Sequence, residues 1–148
     1  PNDVYAQGAK LAGILVEMSA TSGGSCHVVI GVGLNLSMPL QPLPAITQPW
    51  TALSAIASTP VARNRLSGEF IRRLRLALLE FEQGGLTPFM ERWNQLDIYR
   101  DRPVRLLLGE QEIRGVARGI DGQGGLLLET QSGLQTFVGG EISLRAAD

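Results

Sequence analysis

Charged side chains are nearly missing from the first third of this 148-residue chain. Residues 1–57 contain only Asp3, Lys10 and Glu17, whereas residues 58–99 contain six arginines and five acidic residues. A segment of that length with three charges cannot be mostly solvated surface. We therefore expect it to form the buried sheet of a larger body, or a sheet with loops around a ligand, and we expect a functional site there.

The overall composition excludes several classes of protein. A net charge of −1 and a pI of about 5.9 argue against a dedicated nucleic-acid binder. One cysteine and one histidine, Cys26 and His27, cannot by themselves form a zinc site or a disulfide framework. No apolar run of about 18 residues could span a membrane, and no signal-peptide pattern opens the chain. These features favour a cytoplasmic protein.

Two apolar runs in the charge-poor segment predict a β-hairpin. Residues 10–18 and 27–36 are rich in β-branched and other apolar side chains, and a loop rich in Ser, Thr and Gly separates them. Residues 38–50 contain four prolines and predict a long loop that ends at Trp50. Loops of this length in compact domains often close over ligands.

The middle of the chain predicts two amphipathic helices. Thr59-Pro60 and Thr87-Pro88 each place a capping threonine before a proline, which is typical of a helix start. Gly84-Gly85 predicts the end of the first helix. Nothing on either helix indicates chemistry, so we interpret both as scaffold.

The last third predicts a separate β-rich module. Glycine-containing turns separate five short apolar runs, at 104–108, 113–120, 126–129, 134–138 and 142–144. Five strands in fewer than 50 residues suggest a small closed barrel, which leaves no unpaired edge. We therefore predict a domain boundary near residue 100.

Lys10 is the first candidate functional residue, because it is the only lysine beside twelve arginines. A compact ammonium suits a carboxylate or phosphate oxygen. The alternative is an edge lysine whose stem covers apolar surface. Asn2-Asp3, taken alone, predicts only a turn.

Two further features indicate a ligand site, each with a structural alternative. Gly31-Val32-Gly33-Leu34-Asn35 either relieves crowding in a strand or lets a ligand lie against the backbone, with Asn35 as hydrogen-bond donor and acceptor. Trp50 either makes a hydrophobic contact or stacks on a planar ring. Together with Lys10 they predict a site for an anionic, planar ligand.

The chain resembles a known family at both ends. Pro1-Asn2-Asp3-Val4-Tyr5, followed by Lys-Leu-Ala-Gly-Ile-Leu-Val-Glu at residues 10–17, resembles the signature of biotin protein ligases, and residues 31–35 resemble their next block. Arg118-Gly119-Ile120-Asp121 and residues 139–145 resemble the C-terminal module of the bifunctional ligase-repressors.

The resemblance implies an α+β fold in two domains. Residues 1–99 would be the C-terminal part of the catalytic domain, a portion of a mixed β-sheet with covering helices like that of class II aminoacyl-tRNA synthetases. Residues 100–148 would be a small SH3-like β-barrel.

The resemblance also implies a reaction and its residues. Biotin would be activated by ATP, with Mg²⁺, to biotinyl-5′-AMP and transferred to a lysine of biotin carboxyl carrier protein, with no tightly bound metal. Lys10 would be catalytic, at the junction of carboxylate and phosphate. The implied biotin-binding residues are Lys10, Gly13, Ile14, Gly31 and Val32; the implied nucleotide-binding residues are Asn2, Asp3, Asn35, Trp50, Glu141 and Arg145. Within that set Asp3 would orient neighbouring groups, and Trp50 would cover the adenine.

Several parts of the family pattern are not among these 148 residues, including the Lys-Trp before Pro-Asn-Asp and the Gly-Arg-Gly-rich loop. We therefore expect the C-terminal half of a ligase, with weak or no activity by itself and no membrane or nucleic-acid contact of its own. One alternative is a non-catalytic module of a ligase-repressor that binds biotin or its adenylate, or that forms homodimers by sheet extension. The other is a lipoate ligase.

Overall fold

The computed structural model describes residues 2–20, 24, 26–38, 48–138 and 142–147. The chain divides into two compact units, Pro1–Ile71 and Arg72–Asp148. The division falls inside the longest helix, α2 (Arg63–Gly84). No helix of the described residues is both long and apolar enough to cross a membrane.

The first unit contains a three-stranded antiparallel sheet. Its strands are β1 (Asp3–Ala6), β2 (Ala9–Ala20) and β3 (Cys26–Leu34), in the order β1-β2-β3. The predicted hairpin of β2 and β3 is confirmed. The predicted turn at Asn2-Asp3 is wrong, because Asp3 begins β1 and the turn lies at Gln7-Gly8, where both residues have positive φ.

The apolar side chains of β2 and β3 are largely exposed in this unit. Leu15 is 59% exposed, Met18 74% and Val29 62%, and the buried apolar residues of the unit's described part are Ala12 and Ala52. Successive strand residues face opposite sides of a sheet, so both faces carry uncovered apolar surface. The described residues therefore do not supply the cover expected for such an apolar sheet.

The helices follow the predicted order with one shifted start. A single-turn helix, α1 (Leu53–Ile56), precedes α2. Helix α2 begins three residues after Pro60, since its first backbone hydrogen bond runs from Leu66 N to Ala62 O; Thr59 is therefore not its cap. The predicted end at Gly84 is confirmed, because Gly85 has φ +58° and donates to Phe81 O.

The second helix of the prediction begins as a 3-10 turn. Residues Thr87–Phe89 form that turn, with Pro88 near its start, and lead directly into α3 (Met90–Leu96). The predicted start at Thr87-Pro88 is thus confirmed.

The second unit ends in a five-stranded antiparallel sheet, as predicted. The strands are β4 (Pro103–Leu108), β5 (Gln111–Ile120), β6 (Leu126–Thr130), β7 (Gly133–Phe137) and β8 (Ile142–Ala146), in the order β7-β6-β5-β4-β8. Val104, Leu106, Ala117 and Leu128 form its buried core. A β7–β8 pairing that would close the barrel is not among the strand pairs of the described residues.

Close backbone packing and a polar turn shape this sheet. A Cβ added at Gly115 would lie 2.5 Å from Glu129 O, so β5 and β6 approach too closely there for any side chain. The carboxylate of Asp121 accepts from the backbone N–H groups of Gln123 and Gly125 at 2.9 and 2.8 Å. This local hydrogen bonding fixes the predicted turn between β5 and β6.

Arg118 on β5 joins two acidic side chains. It donates to Asp101 over 2.6 Å and to Glu129 over 2.8 Å. The hydrogen bond to Asp101, followed by that to Glu129, raises the pKa of Arg118 above its ordinary value. Asp101 itself has φ +59° and donates its backbone N–H to Ala117 O, so the turn before β4 is held against β5.

Candidate active site

An ion pair between β1 and β2 is the centre of the candidate site. Lys10 Nζ lies 2.6 Å from Asp3 Oδ1. Both side chains retain some exposure, 27% for Lys10 and 31% for Asp3. The ammonium is therefore held in place while a ligand can still reach it.

A bulge brings these two residues to one face of the sheet. Asp3 is paired with Gly13, but the register shifts between Val4 and Tyr5, so that Tyr5 is paired with Lys10. In a regular strand, residues 10 and 13 would face opposite sides. Because the bulge inserts one extra residue into β2, Lys10 and Gly13 share the face that carries Asp3.

The segment around Trp50 continues the sheet beside Lys10. Lys10 N donates to Pro49 O at 3.0 Å, and Thr51 N donates to Lys10 O at 2.9 Å, which makes a parallel bridge between Lys10 and Trp50. Trp50 itself is half-buried. The expected aromatic is thus next to the expected lysine, although residues 39–47 of the predicted loop lie outside the described part of the chain.

Asn35 connects the end of β3 to the same segment. Its backbone N–H donates to Leu11 O at 3.0 Å, and its side-chain Nδ2 donates to Thr51 O at 3.1 Å. The amide oxygen Oδ1, at the other end of the side chain, is an acceptor. The bond to Thr51 was not predicted, because nothing in the sequence marks Thr51.

The glycines of β2 and β3 leave the backbone uncovered beside the ion pair. Gly13 is paired with Gly33, and Gly31 with Leu15. A Cβ at Gly33 would meet nothing within 4 Å, and one at Gly31 would meet only Leu15 O at 3.7 Å. Neither glycine is among those with positive φ. Crowding and turn geometry thus do not require glycine here, which favours the interpretation that a ligand lies against this backbone.

Nine predicted site residues lie in the first unit. They are Asn2, Asp3, Lys10, Gly13, Ile14, Gly31, Val32, Asn35 and Trp50. Ile14 and Val32 adjoin Gly13 and Gly33 along their strands and therefore face the side of the sheet opposite Lys10. Asn2 O accepts from Ile14 N at 2.7 Å, and Ile14 is paired with Val32. Arg145 lies on β8 of the second unit, exposed, with Nη1 donating to Leu144 O, and Glu141 lies outside the described residues.

A metal-binding cluster is not found in the described part of the chain. No group of three or more His, Cys, Asp or Glu residues there could hold a metal ion. The carboxylate beside Lys10, that of Asp3, is already engaged by the ammonium. The Lys10 ammonium, although paired with Asp3, is still partly exposed beside the glycine backbone, where it can also donate to an anionic group of a ligand.

Comparison with known proteins identifies the family of the chain. Residues 1–35 match the model of the biotin/lipoate A/B protein ligase family, and residues 101–145 match the biotin protein ligase C-terminal domain. These matches define a protein ligase fold with a C-terminal module. The chain belongs to the biotin protein ligase family.

Relatives and solved structures agree with this assignment. The bifunctional ligase/repressor BirA of Salmonella typhimurium is 47% identical over 148 residues, which are 100% of this chain and 46% of that protein. A biotin–[acetyl-CoA-carboxylase] ligase of Mycobacterium tuberculosis is 31% identical over 136 residues, covering 87% of this chain and 46% of that one. The chain thus spans about half the length of these relatives.

The fold matches that of a biotin protein ligase from Aquifex aeolicus in complex with biotin and ATP. The TM-score is 0.83 at 28% identity, over 99% of this chain and 60% of that one. Its apo structure gives a TM-score of 0.85 at 29% identity, over 99% and 63%. The predicted α+β class with an SH3-like C-terminal module is confirmed; the boundary near residue 100 stays a prediction.

Proposed function

We propose that this chain forms part of the active site of a biotin protein ligase. A biotin carboxylate oxygen attacks the α-phosphorus of ATP, and pyrophosphate leaves as biotinyl-5′-AMP forms. The amine of a lysine on biotin carboxyl carrier protein then attacks the biotinyl carbonyl carbon, and AMP leaves as the amide forms. Mg²⁺ enters with ATP as its counter-ion. The observation that carries the proposal is the Lys10 ammonium, held by Asp3 beside an open glycine backbone.

Lys10 has the central role in this proposal. In the first step, negative charge develops where the carboxylate joins the phosphate, and a fixed ammonium there stabilises the transition state more than the separate substrates. The backbone of Lys10 is hydrogen-bonded to Pro49 and Thr51. Lys10 is therefore already in place before the ligand binds.

The remaining residues divide between the two substrates. The backbone along Gly13, Ile14, Gly31 and Val32 lies against the biotin rings. Asn2, Asn35 and Trp50 contact the adenylate, and we assign Glu141 and Arg145 to nucleotide binding, as the resemblance implies. We assign the reaction to the cytoplasm, where ATP and carrier proteins are available to such an enzyme.

The C-terminal module favours biotin over lipoate as substrate. The match over residues 1–35 is to a model shared by biotin and lipoate ligases, whereas that over residues 101–145 is to the biotin ligase module. The 148 residues alone are expected to be weak or inactive, since relatives of this family are about twice as long.

The proposal is tested by biotinyl-AMP formation in the full-length protein that contains these residues. Lys10→Ala should lower the rate by about 100-fold or more, the typical cost of removing one charge-stabilising group. Glu17→Gln, an exposed acidic position further along β2, is the matched control and should retain the wild-type rate. An unchanged rate in Lys10→Ala would contradict the role of Lys10.

A second candidate function is homodimerisation by sheet extension. Strand β3 is at the edge of the three-stranded sheet in the described residues, and an unpaired strand edge is a template for another strand. Sedimentation of the full-length protein with and without biotinyl-AMP distinguishes the two functions. Binding of biotinyl-AMP and dimer formation, without any formation of biotinyl-AMP from biotin and ATP, would favour a non-catalytic module of a ligase-repressor.

A further inference from the structure

The carboxylate of Asp3 forms an ion pair with Lys10 while remaining partly exposed. Of the residues 1–57, only Asp3, Lys10 and Glu17 carry charges, and two of these three are in contact at 2.6 Å. Asp3 has no other basic residue in that stretch to pair with, and the other acidic residue, Glu17, is exposed seven positions further along β2 from Lys10. The pair is therefore a specific arrangement and not one member of a surface network.

The backbone on both sides of Asp3 is fixed. Asn2 O accepts from Ile14 N at 2.7 Å before it, and the bulge between Val4 and Tyr5 sets the register after it. Bulges often lie next to active sites, where they redirect a side chain. Here the bulge is what allows Asp3 and Lys10 to share a face.

Gly13 forms the floor beneath the pair. The position of its missing Cβ is 3.7 Å from Lys10 Nζ and 3.8 Å from Asp3 Oδ1. Because Gly13 has no side chain, both charged groups lie directly over its backbone, at the point where β1 and β2 are paired. The open side of Nζ is the one that Asp3 and Gly13 do not occupy.

We propose that Asp3 is a positioning residue for Lys10: it fixes Nζ above Gly13 and so sets where the ammonium meets the reacting groups. The inference rests on the proposed function, which supplies the reaction in which Lys10 acts. It narrows the role expected by resemblance, in which Asp3 orients neighbouring groups of the nucleotide-binding set, to the positioning of one group, Lys10 Nζ. If Asp3 acts through Lys10, its effect must vanish when Lys10 is removed.

A double-mutant cycle in the full-length protein tests this dependence. Asp3→Asn should lower kcat for biotinyl-AMP formation by about 10- to 100-fold, as expected for a misplaced catalytic group, with little change in KM for ATP. In the Lys10→Ala background, Asp3→Asn should have no further effect, because interacting residues are non-additive. Effects that multiply, or a change confined to KM for ATP, would overturn the proposal in favour of direct nucleotide contact.

A second readout does not depend on activity. In the full-length protein, acylation of Lys10 by an N-hydroxysuccinimide ester can be followed by mass spectrometry of the peptide that contains it. Asp3→Asn should accelerate acylation several-fold, because the ammonium is no longer held; Glu17→Gln should not. Equal acylation rates in wild type and Asp3→Asn would overturn the positioning role even if the wild-type protein formed no biotinyl-AMP. A wild-type protein that formed no biotinyl-AMP would contradict only the proposed function.

Asp3→Asn should not unfold the protein, because it removes the charge of the side chain but hardly changes its size. The pair is partly exposed, and such pairs contribute little to stability, so the melting temperature of Asp3→Asn should be near that of the wild type. If this variant did not fold, Asp3→Glu would take its place in the cycle. It keeps the charge but moves the carboxylate, and a positioning role predicts a reduced kcat for it too; full wild-type kcat would contradict the role.

Discussion

The side-chain amide of Asn35 donates to the backbone oxygen of Thr51 over 3.1 Å. Thr51 follows Trp50, whose neighbours on both sides are bonded to the backbone of Lys10. Asn35, directly after β3, and Lys10 on β2 therefore hold the same short segment. Trp50 is thus bridged to the strand that carries the lysine, and its contact with the adenine stays a prediction.

Asn35→Ala should loosen the segment that carries Trp50. Loss of one hydrogen bond to a backbone oxygen costs about 1 kcal/mol, and Trp50 should become more accessible to acrylamide. In the full-length protein, fluorescence quenching with every tryptophan except Trp50 replaced by phenylalanine, Trp93 among them, isolates the Trp50 signal. Asn64→Ala on the exposed start of α2 is the control, and equal quenching in the two variants would contradict the role of Asn35.

Gly33→Ala separates binding from folding. Its new methyl group would meet nothing within 4 Å, so stability should change by no more than about 0.5 kcal/mol, the typical range of surface substitutions. If the ligand lies against this backbone, the same methyl group should weaken biotin binding at least tenfold. Calorimetry with biotin and urea denaturation on the full-length protein measure the two effects. Wild-type affinity would show that the ligand does not approach Gly33.

Gly115→Ala should have the opposite effect. Its Cβ would lie 2.5 Å from Glu129 O and 2.9 Å from Leu128 Cγ, so β5 and β6 must move apart. Overpacking of this kind typically costs about 1–3 kcal/mol. Gly122→Ala in the exposed turn, where a Cβ would meet nothing, is the matched control. Equal urea midpoints for the two variants would contradict the close approach of the strands.

Local patterns were sufficient to predict much of the fold. The β2–β3 hairpin and the five C-terminal strands follow from apolar runs and glycine turns, which act over a few residues. Strand β1 was missed, because it has only four residues and exists through pairing with β2. Helix α2 begins at Arg63 instead of Thr59, since a capping preference of about 1 kcal/mol is readily overridden by the rest of the fold.

The candidate residues were named from the sequence, but the contact between Lys10 and Asp3 was not predicted. Lys10 was marked by its rarity, and the glycines by their pattern. The contact between Lys10 and Asp3 depends on a one-residue bulge, and no local signal marks where a bulge falls. The apolar pattern predicts that the first sheet is buried, but it cannot show which residues bury it, because burial depends on what other parts of the protein pack against the sheet.

Arg118→Met should lower stability by an amount that does not change from neutral to mildly alkaline pH. Because the pKa of Arg118 is raised in the folded state, its contribution is complete below the ordinary arginine pKa and is lost only as the pH rises through the higher folded value. The loss should shrink in high salt, which screens the charges of Asp101 and Glu129. Thermal melting of the full-length protein at two pH values and two salt concentrations measures this. Arg114→Met, at a more exposed ion pair with Glu112, is the control and should have the smaller effect. A difference from wild type that vanished on moving from neutral to mildly alkaline pH would contradict the assignment, because an arginine held by two carboxylates keeps its charge throughout that range.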